Sequence, residues 1–446
     1  MQDIIQGNPT KSFFITMITR DITIEDSILD LLDNSIDGAN KINPDDYSGL
    51  FIEIVINDKE FIVRDNCGGF SLDTAKKYAF RFGRPDNAPP TEGSVGRFGV
   101  GMKRALFKIG RNFEVESKTE SDHFKVDVNV EQWKAKTKKI TLESGVETDD
   151  DDWSFNYTNC TPENSNIDVN GTFIKVYNLY EEVSNTFDNE FLDELQDDIE
   201  RLLNFSLEKG LKITLNGTQL HKKGIVLFQD TSEPYYFEGE YNNVRFRVVA
   251  GLSNVGDPKA SGWYIYCNDR LVLEADTSNI TGWGSGGIPK FHVDYVMFKG
   301  VVFFESKDTI KLPLTTTKKG IDATSDIYKK AQFYMKEALS NVLGFLKKVR
   351  KLGDEANDFR ILLGEQEDKI AVIAIKDKAI SFPRRFIAPE IDSEKIATKT
   401  SQTRIAYRVA MADAEKAKVH SDSKSLRELG EYTFEYYLKM ENIKNE

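Results

Sequence analysis

Asp30-Leu31-Leu32-Asp33-Asn34-Ser35-Ile36-Asp37-Gly38-Ala39 is the stretch on which the fold turns. It lies in a helix predicted over 24–39. At about 100° per residue, Ile28, Leu29, Leu31, Leu32, Ile36 and Ala39 gather on one half. Asp26, Asp30, Asp33, Asn34 and Asp37 gather on the other. The plain reading is an amphipathic helix with a solvated acidic face. Two details argue for more. An Asn in mid-helix costs intrinsic propensity, and carboxylates crowded on one face repel one another. An acid one turn before an amide suits a divalent cation: the amide oxygen ligates it, while the carboxylate holds a water for attack on phosphate.

Outward from this helix, the apolar run at 13–18 predicts a strand. Residues 50–56 and 60–63 read as strands joined through Asn57-Asp58-Lys59. A Gly- and Pro-rich stretch over 82–101 predicts a mobile loop, with helix resuming at 102–109. Strands follow at 113–117, 124–130, 171–176 and 212–217, with a helix over 190–203. The acidic run at 149–152 reads as a solvated loop. The first 205 residues thus predict an α+β layered sandwich, helices on one face of a mixed sheet. A second unit, 206–350, has strands at 244–250, 263–267 and 295–304 and a helix over 325–348. The remainder, 351–446, reads as a helical C-terminal region with helices near 393–419 and 423–441.

With 446 residues, 40% of them hydrophobic, the chain can bury more than one core. It shows no run of ~20 apolar residues and no basic-then-apolar start, so neither a membrane span nor a secretory signal is expected. Cys67, Cys160 and Cys267 lie far apart, which predicts neither a zinc site nor a disulfide framework and fits a reducing cytoplasm. A net charge of −13 argues against obligate gripping of nucleic-acid backbones, though not against a local basic patch.

The stretch at 30–39 resembles the first signature box of the gyrase/heat-shock chaperone/histidine kinase/MutL (GHKL) ATPases. The resemblance implies a Bergerat-type α/β sandwich that binds ATP with Mg2+. Asp30 would be the catalytic acid and Asn34 the Mg2+ ligand. Family members that hydrolyse ATP usually carry Glu at the acid position; Asp30 is one methylene shorter. Arg64-Asp65-Asn66-Cys67-Gly68-Gly69-Phe70 is similar to the DxGxG box, in which Asp65 would accept from the adenine amino group and Gly69 would admit the base. Cys67 stands at the first Gly position of that box. Gly96-Arg97-Phe98-Gly99-Val100-Gly101-Met102-Lys103 is similar to the third box, whose backbone amides would face phosphate at a helix start, with Lys103 adding a cation. Residues 83–98 would be a lid. No compact βαβ unit supports a dinucleotide fold, and no GxxxxGK[ST] supports a P-loop. Thr172, in Asn170-Gly171-Thr172-Phe173, would support Asp65 as the fourth box does.

Residues 262–272 and 312–322 resemble the S5-like βαβ transducer domain of MutL and MORC proteins, with Lys318 as the lysine that reaches the γ-phosphate. The four histidines show no partner spacing, and no helix pairs His with an acid ahead of the ATPase box, so a histidine kinase is disfavoured. The resemblance implies a switch that forms a homodimer while ATP is bound, hydrolyses slowly and controls a protein partner or DNA, as MORC-like ATPases do in bacterial defence. A chaperone-like ATPase acting on polypeptides and a nucleotide-binding regulator without turnover are the alternatives.

Overall fold

The computed structural model describes residues 9–83, 100–141, 147–229, 231–253, 258–315, 320–353, 356, 359–361, 363, 368–371, 384–391, 409–421 and 423–441. The chain divides into two compact units, Met1–Ile391 and Asp392–Glu446.

The run at 13–18 is not a strand. It lies within helix α1 (Lys11–Arg20), capped by Thr10, whose side chain accepts from the Phe13 amide. The reason lies in the spacing: Lys11, Phe14, Ile15 and Ile18 turn inward at helical intervals, while Phe13 and Met17 stay exposed. Lys11 fixes the helix in place. Its buried ammonium donates to the carbonyls of Trp133 (2.7 Å) and Lys136 (2.5 Å). Lys11→Met leaves the buried Trp133 carbonyl without that donor. A loss of about 1–3 kcal/mol is expected, read as a lower midpoint of urea unfolding.

Helix α2 (Ile24–Ile42) follows, capped by Thr23. The hairpin of β1 (Phe51–Ile56) and β2 (Glu60–Asp65) comes next, then the short turn α3 (Leu72–Thr74) and α4 (Gly101–Ile109). Strands β3 (Gly110–Lys118) and β4 (His123–Asn129) lead to α5 (Val130–Ala135), β5 (Thr137–Thr141), β6 (Glu147–Asp151), β7 (Thr158–Asn159) and β8 (Gly171–Leu179). Helices α6 (Glu181–Thr186), α7 (Asn189–Leu202) and α8 (Asn204–Glu208) precede β9 (Lys212–Leu215) and β10 (Thr218–Gln219). The sheet runs β10-β9-β1-β2-β8-β3-β4-β7, with β1 and β9 parallel and the other pairs antiparallel. It is mixed, as expected. Alternate residues of β1 and β2 (Ile52, Ile54, Ile56; Phe61, Val63) enter a core shared with Ile28, Leu29, Leu31 and Leu32 of α2. Beside it, Trp133 stacks on Phe155 (5.1 Å), and Trp153 meets Phe82 and Phe14 edge-on (both 5.5 Å).

Far from forming a loop, the acidic run lies largely in β6, set opposite Lys138 and Lys139 of β5 (Asp150 and Asp149 in register), with Asp152 beside Lys136 at 3.1 Å. Cross-strand opposite charges offset the self-repulsion that a sequence reading weighs alone.

The second sheet is built from β12 (Tyr235–Tyr241), β13 (Val244–Leu252), β14 (Gly262–Cys267), β15 (Arg270–Asp276) and β16 (Phe298–Glu305), ordered β12-β13-β16-β14-β15. The strand expected from 295 begins at Phe298, because residues 293–295 form a 3-10 turn. Helix α9 (Asp326–Arg350) packs on this sheet through a stripe that includes Ala331, Met335, Ala338, Leu339 and Val342. Strand β11 (Val226–Gln229) pairs with β17 (Asp368–Ala371). In the second unit lie α10 (Met411–His420) and α11 (Leu426–Met440), the latter capped by Ser425. Most of the helix expected from 393 lies outside the described residues. Among the described residues no helix is long and apolar enough to cross a membrane.

Candidate functional site

The acidic face of α2 is turned into the protein. Asp30 is 3% exposed and Asp33 2%, with Asp37 also buried. Carboxylates taken out of water need partners, and two arginines supply them. Arg104, on the third residue after Gly101 in α4, donates to Asp30 Oδ2 at 2.5 Å. Arg270, at the start of β15, pairs with Asp33. A solvated stripe is thereby excluded. Asn34 is the exposed member of the helix face; its Nδ2 donates to the Asp30 carbonyl at 3.0 Å, which leaves its amide oxygen for a ligand.

Helix α4 meets α2 at Gly101, where an added β-carbon would sit 3.2 Å from Asp30 Oδ2, so a side chain here would press on the acid. Val100, at the N-cap, has no side chain able to accept from the first amides of α4, which suits them to an anion. Lys103 goes elsewhere than expected. It is 2% exposed, its ammonium donates to the Ala79 carbonyl at 2.6 Å, and burial pulls its pKa down to about 7. The cation that α4 carries to the acid is Arg104. Gly96, Arg97, Phe98, Gly99, all of the expected 83–98 lid after Gly83, and Lys318 lie outside the described residues.

Asp65 ends β2 and is buried. Its Oδ2 accepts from Ser35 Oγ (2.7 Å), its Oδ1 from the amides of Cys67 (2.8 Å) and Thr172 (3.2 Å). Burial raises its pKa above the usual carboxylate value, while these three donors act to lower it. The bond from Thr172 comes from its backbone, held opposite Asp65 by the β2–β8 register. Gly69 has φ +62°, and a β-carbon there would lie 2.4 Å from the Lys118 carbonyl, so the turn admits no side chain. Cys67 is buried, its thiol pushed far up by that burial, which makes it a core side chain and not a nucleophile.

Sequence reasoning missed Ser35, Arg104 and Arg270. Ser35 could have been found, since it follows Asn34 directly in the same box. No local signal marks Arg270.

Among the described residues, Glu116, His123 and Cys160 form the one cluster with metal-ligating side chains in reach of one another. Glu116 is already engaged by His123 (2.7 Å), Ser165 (2.7 Å) and the amide and side chain of Asn166. Hydrogen bonding accounts for the cluster without an ion.

Asn34 offers the neutral oxygen that Mg2+ accepts, beside Asp30, and so fits that ion. No curated protein sequence matches the chain. Residues 22–163 match the family of histidine kinase-, DNA gyrase B- and HSP90-like ATPases. With its layered sheet and α2–α4 constellation, this stretch is a GHKL-type ATPase domain, an ATP-binding module of that superfamily.

Proposed function

We propose that the chain is an ATP-driven conformational switch. It takes up ATP with Mg2+, pairs with a second copy through its N-terminal part while nucleotide is bound, and hydrolyses ATP slowly to release that pair and control a protein partner or a DNA-associated process. One observation carries the reading: a single helix, α2, sets Asp30 against the start of α4, turns Asn34 outward one turn on, and reaches Asp65 through Ser35. In this reading Asn34 holds Mg2+, which when bound would neutralise phosphate charge. Asp65 accepts from the adenine amino group, on a floor shaped by Gly69 and the Thr172 backbone. The first amides of α4, from Gly101, face phosphate. Asp30 orients a water and takes its proton, and Lys318 contributes a cation at the γ-phosphate. Size exclusion with light scattering tests the switch: with a non-hydrolysable ATP analogue the mass should double. An unchanged mass with nucleotide bound removes the central step.

A second reading, ATP binding without turnover, is favoured by the hold of Arg104 on Asp30. Phosphate release that is absent, and unaltered by Asp30→Ala, would select it.

Acid should weaken binding in a defined way. Only the ionised Asp65 offers both oxygens as acceptors, and burial raises its pKa. Affinity for ATP is therefore expected to fall with a midpoint above the ordinary aspartate value of about 3.9. Calorimetry from pH 7 downward, with Asp65→Asn as the pH-insensitive control, reads this directly.

A further inference from the structure

The turn between β14 and β15 is made by Asn268 and Asp269, both left-handed (φ 44° and 68°), as a two-residue hairpin requires. Asn268 is fixed on both sides of its amide: Nδ2 donates to the Ser306 carbonyl (2.9 Å), and Oδ1 accepts from the Ser306 amide (3.0 Å). This rigid tip is docked on α2. Lys209 donates to Asp269 Oδ2 and to the Pro44 carbonyl just beyond α2, both at 2.8 Å. The next residue, Arg270, is buried against Asp33, which lies between Asp30 and Asn34 in the chain. Burial works against its charge, and Asp30 and Asp26 favour it.

Two residues along β15, the Val272 carbonyl accepts from the Gly320 amide at 2.8 Å, beside the bridge between Leu314 and Ile321. At about 3.3 Å of rise per strand residue, the Arg270 contact with α2 and the backbone that holds this bridge are separated by under ~7 Å of extended chain. A strand cannot stretch over so short a span, so displacement of α2 is carried to Gly320. A buried ion pair contributes little net stability over an apolar pair of the same shape. Fixing relative position is what it does better, since drawing the two elements apart would separate two buried charges.

We infer that Arg270 is a positioning residue that couples nucleotide occupancy at α2 to the Leu314–Ile321 bridge of the second sheet. The inference rests on the ATP-binding reading above. The test combines calorimetry with hydrogen exchange at residues 314, 315, 320 and 321, with and without a non-hydrolysable ATP analogue. In the parent chain nucleotide should slow exchange there by roughly tenfold. Arg270→Met alone takes from the buried Asp33 the cation it pairs with, so the deciding variant is Asp33→Leu with Arg270→Met. It should keep the thermal midpoint and nucleotide affinity while losing the nucleotide-dependent protection. Should it not fold, Arg270→Lys keeps the charge without the planar guanidinium and should show reduced protection. Full protection in either folded variant overturns the coupling, as does a nucleotide-bound parent chain without protection. A large loss of affinity in the variants would place Arg270 in binding instead and also overturn it. A parent chain that takes up no nucleotide shows a blank calorimetric trace, which marks failure of the ATP-binding reading itself.

Discussion

Asp30→Asn should take up ATP as tightly as the parent chain and lose at least about 100-fold in phosphate release. The amide keeps the size of the carboxylate, so the contact with Gly101 is preserved, as is one oxygen to accept from Arg104. What disappears is the basicity needed to take a proton from water, the step for which general-base catalysis supplies its advantage. In the proposed reading the binding energy resides elsewhere, in Asn34, Asp65 and the start of α4. Calorimetry paired with steady-state phosphate release at saturating ATP separates the two. Equal release rates in variant and parent would show that Asp30 is not the base.

Asn34→Ala should weaken Mg-ATP binding by about 100-fold or more, since even outer-shell partners of a metal are worth 10–100-fold. The substitution is clean. Asn34 is exposed, and Ala is the better helix former, so no loss of fold is expected. The sharper half of the experiment removes the metal: with a chelator present, parent and variant should bind ATP equally weakly. A variant that retains full affinity in Mg2+ would remove the ion from this helix.

The parts of the site that share a short stretch were open to reading. Asp30 and Asn34 sit one turn apart, and Asp65 and Gly69 lie at the end of a strand and in the turn after it. The same acidic face nevertheless reads as solvated, because Arg104 and Arg270 come from other elements and no local pattern announces them. Position 67 illustrates a related limit. A box written with Gly there looks broken by Cys67, yet the left-handed residues of this turn are Gly68 and Gly69, so a small apolar side chain is accommodated. Helix α1 escaped for another reason: six apolar-rich residues fit either period, and only the inward-facing Lys11 before them decides. Its place after the glycines points Lys103 at phosphate, but direction along a helix is set by the wheel, which buries Lys103 against the Ala79 carbonyl and brings Arg104 to the acid.

The four tryptophans fall into two pairs with unlike surroundings. Trp263, in β14, and Trp283 are sealed against Phe298 of the second sheet, at 0% and 1% exposed. Trp133 and Trp153 share one aromatic cluster with Phe82, which in the sequence stands directly before the glycine-rich stretch. Ultraviolet emission from this chain should therefore combine a steady background from Trp263 and Trp283 with a component from Trp133 and Trp153. A change in that component on adding nucleotide would make the protein its own optical reporter, with no attached dye.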